Sequence, residues 1–269
     1  MQRKYVDAHC HLQFDAYAED AQEVIERMRA AGVAGIVAGV DLDSSRRALA
    51  LAEKYEHLFA SVGLHPNRVG QEPFDAAALR ALAAHPKAVA IGECGLDFFR
   101  PAQPDDSVKN AQKEILRAHG ALAAEAAKPL IIHARPSRGT QDAYQDLIAL
   151  LAEMKAEHPT LSGDVHFFVG GRAEAAALVA LGFMISYTAV ITFARDYDDV
   201  IRAVPLGSLL AETDAPYVAP APRRGERNDP LAVADVVRSI ADIRGADTES
   251  VRRALLANAA RLFRIPELP

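Results

Sequence analysis

Eight short apolar runs rich in β-branched residues recur along this chain, at 4–9, 35–40, 58–63, 88–93, 129–133, 163–168, 182–187 and 208–213. Between them lie stretches whose apolar residues return at helical spacing, at 20–31, 44–54, 74–83, 110–126, 142–157 and 173–181. That alternation is the pattern of repeated βα units around a parallel sheet. Eight units closing on themselves make a (β/α)8 TIM barrel, and 269 residues suit a fold that typically takes roughly 250. A doubly wound open sheet is the competing architecture. After the eighth run come a Pro- and Arg-rich loop, 215–230, and two more helical stretches, 231–244 and 248–263. No linker, low-complexity segment or break in composition divides the chain, so one domain over 1–269 is expected.

The placement of polar residues favours the barrel. Five of the eight runs end in side chains that can hold a metal: His9 and His11, Glu93, His133, His166 and Asp214. The C-terminal ends of barrel strands form the catalytic face. Residues two apart on a strand point the same way, so His9 and His11 aim both imidazoles to one side and Cys10 to the other. By the same parity Asp7 and Glu212 are expected to orient ligands by accepting their hydrogen bonds. Four histidines and two carboxylates exceed the three protein ligands of a typical single catalytic ion, and two ions bridged by Glu93 are the economical reading. Imidazoles suit Zn or Mn, while the carboxylates tolerate Mg. His65 follows the third run on the same side and is a candidate substrate contact. His57, His85, His119 and His158 fall in helices or helix-to-strand turns and carry no expected function.

A formal net charge of −6 gives no whole-molecule field to concentrate a polyanion, so any nucleic acid must be held locally. Two cysteines, Cys10 and Cys94, are too few for a disulfide framework and fit a reducing, cytoplasmic setting, both as buried structural thiols. The chain enters its first strand pattern directly, with no apolar segment of signal or membrane-spanning length, so no membrane partner is expected.

The motifs Asp7-Ala8-His9-Cys10-His11-Leu12, Val62-Gly63-Leu64-His65-Pro66, Ile91-Gly92-Glu93-Cys94-Gly95-Leu96-Asp97, Ile132-His133-Ala134-Arg135, Glu212-Thr213-Asp214-Ala215-Pro216-Tyr217 and Arg224-Gly225-Glu226-Arg227-Asn228 occur in this order. Taken together they closely resemble the TatD-like deoxyribonucleases, metal-dependent hydrolases of the amidohydrolase superfamily. The resemblance implies a TIM barrel in which His9, His11, Glu93, His133, His166 and Asp214 bind two divalent ions. It also implies that Asp214 takes the proton from the attacking water and that the substrate is DNA, cut exonucleolytically from 3′ to 5′. The chain departs from the family pattern at Phe167 and Val169, where a thiol and a hydroxyl are commonly found, in a long stretch at 136–141, and at Asp229 in place of Glu.

A phosphodiester hydrolase must neutralise charge developing on phosphoryl oxygens. Arg135 is placed to help, and Arg223, Arg224, Arg227 and Asn228 form a local polar patch suited to neighbouring phosphates. Phe98 and Phe99 can stack a nucleobase or pack against a loop. An amide or ester hydrolase on the same barrel is the alternative, and a non-catalytic binder is the third reading, against which all six intact ligand positions argue.

Overall fold

The computed structural model describes residues 3–100 and 105–265; the remaining residues of the expected 1–269 domain lie outside the described ones. Eight strands, β1 (Tyr5–Cys10), β2 (Val33–Ala38), β3 (Leu58–Val62), β4 (Ala88–Asp97), β5 (Leu130–Arg135), β6 (Gly163–His166), β7 (Met184–Tyr187) and β8 (Leu209–Ala211), form one sheet. Their spatial order follows the chain and every neighbouring pair is parallel. The ends meet just beyond β8, where Asp214 N donates to His9 O (2.9 Å) and His11 N to Ala215 O (2.7 Å). An open doubly wound sheet reverses its strand order partway and leaves two edges; neither occurs here, and the TIM barrel stands.

Among the described residues the helices are α1 (Ala21–Ala31), α2 (Leu42–Lys54), α3 (Ala76–Ala83), α4 (Asp106–Ala126), α5 (Asp142–Glu157), α6 (Arg172–Ala180), α7 (Asp198–Ala203), α8 (Val233–Arg244) and α9 (Thr248–Phe263). Caps set several boundaries. Asp105 accepts from Val108 N at 3.0 Å, so α4 begins four residues before the periodicity becomes visible at 110. Gly32 and Gly245 end α1 and α8 in the left-handed conformation. Helix α7 was not anticipated, because six residues are too few to display a helical period.

Strand side chains alternate between two apolar layers. Val6, Ala8, Ile36, Ile131, Met184 and Leu210 form an inner cluster closed by Phe263 of α9. Cys10, Val37, Ile132, Val165, Ile185 and Leu209 join the larger layer between strands and helices. His133 follows Ile131 by two, and Glu212 follows Leu210, so both continue the inner face. In β1 the register shifts between Asp7 and Cys10, which lets His9 join the inner face although Val6 and Ala8 already lie on it. Strand β4 runs four residues past the expected 93. There Gly95 has φ +139°, and a Cβ on it would lie 2.0 Å from His133 O, so only glycine permits β4 and β5 to approach this closely.

Candidate metal centre

The six expected ligands meet at the C-terminal mouth of the barrel. On one side His9 Nε2 lies 3.1 Å from His11 Nε2, 3.4 Å from Glu93 Oε2 and 3.7 Å from Asp214 Oδ1. His11 Nε2 lies 3.4 Å from the same Asp214 oxygen. On the other side Glu93 Oε1 lies 2.9 Å from His166 Nε2, 3.1 Å from His133 Nδ1 and 3.2 Å from His65 Nε2. Glu93 therefore puts one oxygen into each of two donor groups. His65, expected as a substrate contact, stands among the donors themselves.

Neighbouring groups fix each donor's direction. His11 Nδ1 bonds Ala38 O at 3.0 Å and its ring stacks on Phe14 at 4.4 Å, turning Nε2 inward. Glu212 Oε2 meets His166 Nδ1 at 3.3 Å, the orienting contact expected of it. The same carboxylate accepts from Phe167 N at 2.5 Å, and Phe167 holds φ +47°. Asp214 too is left-handed, at φ +52°, a conformation sparsely populated by residues other than glycine. Asp7 departs from expectation. It faces outward between Val6 and Ala8, and the shift that follows it breaks its parity with His9; its carboxylate accepts from Thr213 N (2.8 Å) and Thr213 Oγ1 (2.6 Å), bracing the backbone beside Asp214 rather than an imidazole.

Two supports escaped the sequence reading. Asp97 Oδ2 stands 3.3 Å from His133 Nε2 and accepts from Asn67 Nδ2 at 3.2 Å, while Oδ1 accepts from Phe99 N and Arg100 N, both at 2.9 Å. His119 on α4 is fully buried; its Nε2 accepts from Leu64 N at 3.0 Å, next to His65, and its Nδ1 donates to Ile115 O at 2.8 Å. A sequence signal existed only for Asp97, which lies in a quoted motif four residues beyond Glu93.

Burial alone would push the Glu93 carboxyl up, yet His65, His166 and His9 hold it well below the ordinary carboxylate range. Asp214 is likewise buried but held low, chiefly by its bond to His11. Burial and the neighbouring His166 lower His9, keeping a lone pair available. His166 resists the effect of burial and is pushed well above its ordinary value by Glu93 and Glu212. Ionised carboxylates thus recruit protons onto imidazoles, the positive charge that a divalent cation replaces.

The expected substrate contacts divide. Arg135 sits at the end of β5 with its guanidinium 4.3 Å over the Phe99 ring. Arg223 stands 3.9 Å from Asp229, which Arg27 also approaches, at 3.4 Å. Arg227 forks its guanidinium onto the surface carboxylate of Asp20, donates to Ala16 O at 2.6 Å and covers the Tyr17 ring. Asn228 is corrected. It is buried, and its Nδ2 faces Thr213 O, Tyr217 O and Val218 O at 2.9–3.3 Å, so it pins the loop and cannot reach substrate. Arg224 stacks on Phe193. Phe98 is buried beneath Lys109 and packs, as does Phe168 between Tyr144 and Tyr187. The stretch 136–141 folds back, with Ser137 and Thr140 both bonded to the Asp142 side chain.

Donors about 2.0–2.1 Å from a tetrahedral ion stand about 3.3 Å apart. The separations within both groups scatter around that value, and their nitrogen and carboxylate atoms are the donor types such ions take. A cage of this kind at the mouth of a (β/α)8 barrel defines a metal-dependent hydrolase. The family model described as TatD related DNase matches residues 6–264, and the chain belongs to that family. It is 38% identical over 263 residues to the uncharacterized metal-dependent hydrolase YabD of Bacillus subtilis, covering 96% of this chain and 98% of that protein. It is 35% identical over 274 residues to the 3′-5′ ssDNA/RNA exonuclease TatD of Erwinia billingiae, covering 97% and 99%. The crystal structure of YjjV, a TatD homologue from Escherichia coli K12, superimposes with a TM-score of 0.88 at 32% identity, covering 99% of this chain and all of that one.

Proposed function

We propose that this protein is a two-ion phosphodiesterase that removes nucleotides from DNA in the 3′-to-5′ direction. The observation that carries the reading is the Glu93 carboxylate, with one oxygen in each donor group. His9, His11 and Asp214 would complete one cation site and His133 and His166 the other, with Zn, Mn or Mg as the ions. Divalent ions bound there neutralise phosphoryl oxygens and make water acidic enough to attack near neutral pH. Asp214, whose side chain keeps 14% of its surface open, receives the proton of the attacking water. Glu212 and Asp97 hold the imidazoles of His166 and His133 in place. His65 and Arg135 meet the substrate phosphate from the third and fifth strands.

A nuclease of this kind works on nucleic acid inside the cell, and the reading places it in the cytoplasm. The two thiols, Cys10 and Cys94, are buried and unpaired. No helix among the described residues is long and apolar enough to cross a membrane.

The test is metal analysis of the purified protein followed by hydrolysis of a 5′-labelled single-stranded oligonucleotide and an aryl phosphodiester. Two ions per chain, stepwise loss of 3′ nucleotides and abolition by chelation are expected. Metal-replete protein that leaves both substrates intact overturns the assignment.

A further inference from the structure

Among the described residues, two large hydrophobic side chains are exposed: Phe99, at 40%, and Tyr217, at 52%. Scattered single exposures are ordinary on a protein surface, but these two stand at the same mouth. Tyr217 N donates to Asp214 O at 2.9 Å, and its ring presents edge-on to His11 at 6.3 Å. Phe99 is tied to the other side of the cage through Asp97, which binds its backbone N–H with one oxygen and faces His133 with the other. One carboxylate therefore locks both a donor imidazole and the base of the Phe99 platform.

Two arginines stand beside these rings. The Arg135 guanidinium carbon lies 4.3 Å from the Phe99 ring centroid, and Arg100 is close enough to both Arg135 and Tyr217 for its charge to act on each. Neither guanidinium has a carboxylate within ion-pair distance among the described residues, whereas Arg227, Arg80 and Arg252 are all engaged by one. On a chain of net charge −6, two arginines outside any ion pair, beside two exposed rings, form a local seat for an anionic, aromatic ligand.

We propose that Phe99 with Arg135 on one side, and Tyr217 on the other, bracket the unpaired bases next to the scissile phosphate. These rings decide that the strand entering the cage is single. The inference rests on the phosphodiesterase reading above. A π-face accepts any base, so the bracket admits all sequences, but it needs bases freed from a duplex. Arg100 and Arg135 meet the flanking phosphates.

The experiment uses an oligonucleotide with 2-aminopurine at its 3′ end, and methyl p-nitrophenyl phosphate as a diester without a base. Phe99→Leu and Tyr217→Leu keep apolar bulk and remove the ring; Phe99→Tyr and Tyr217→Phe keep the ring. On metal-free wild type, binding should quench 2-aminopurine fluorescence through stacking. Each Leu variant should lose most of that quenching and weaken Kd about tenfold, and the ring-keeping variants should restore both. With metal present, the ratio of kcat/KM on the oligonucleotide to that on the baseless diester should fall about tenfold in the Leu variants, mostly through KM. If metal-replete wild type cuts neither substrate, the function itself falls and the bracket with it. If wild type cuts the oligonucleotide but the Leu variants leave quenching, Kd and the ratio unchanged, or depress both substrates equally, the bracket is wrong and the nuclease stands.

Discussion

His119 offers a test of how the barrel holds the loop that carries His65. Its imidazole is fully buried, Nδ1 gives its proton to Ile115 O, and Nε2 must remain a lone pair to accept from Leu64 N. Burial, partly opposed by the Ile115 bond, drives its pKa down to about 4 from 6.5. Protonating Nε2 would set two donors against each other in an apolar setting beside Phe74. Between pH 6.5 and 4 the unfolded chain binds the proton and the native one refuses it, so stability rises with pH in that window. The contribution is complete above pH 6.5 and lost as pH falls toward 4, about 3 kcal/mol in all. His119→Gln keeps an acceptor for Leu64 N and cannot titrate. Urea denaturation of metal-free wild type and variant should show their stability difference shifting by about 2 kcal/mol against wild type between pH 7 and pH 4.5. The cluster imidazoles and carboxylates are common to both proteins and cancel in the difference. A difference constant to within about 0.5 kcal/mol across that range would mean that His119 does not stay neutral, and the argument would fail.

Asp214→Ala should lower kcat by about 10²–10⁴-fold with an unchanged circular dichroism spectrum; full turnover would show that another group takes the proton. Glu93→Gln substitutes an amide for the shared carboxylate, and metal analysis should find at least one ion fewer per chain, an unchanged content removing it from the cage. Gly95→Ala forces a methyl onto His133 O at a backbone angle L-residues avoid, so a loss of about 3 kcal/mol or more is expected in denaturant melts, and wild-type stability would contradict the close approach. Arg227→Ala should leave the salt dependence of KM where it was, because Asp20 already holds the guanidinium; a shallower slope would return Arg227 to the substrate.

The barrel and its cage were legible because both are written at short range. Period-two and helical patterning located all eight strands, and polar side chains at strand ends supplied the candidate donors. That local rule failed where the strand itself was irregular: the shifted register in β1 broke the parity between Asp7 and His9. It was equally blind to partners supplied by distant segments. His119 serves a loop 55 residues away, Arg227 serves Asp20 across 207, and Asn228 looks like a polar loop residue until three backbone carbonyls converge on it. Residues of identical type, Arg135 and Arg227, end in different settings, one over the Phe99 ring and the other on the Asp20 carboxylate.

The seam between β1 and the segment after β8 lies inside the catalytic cage, with Asp7 gripping Thr213 over a separation of 206 residues. His9 and Asp214 come into register only once nearly the whole polypeptide has been made and wound into a ring. A half-synthesised chain still on the ribosome holds the first two imidazoles but not their final carboxylate. Assembly of the donor cage is therefore withheld by topology until the eighth strand has been made and the ring has closed.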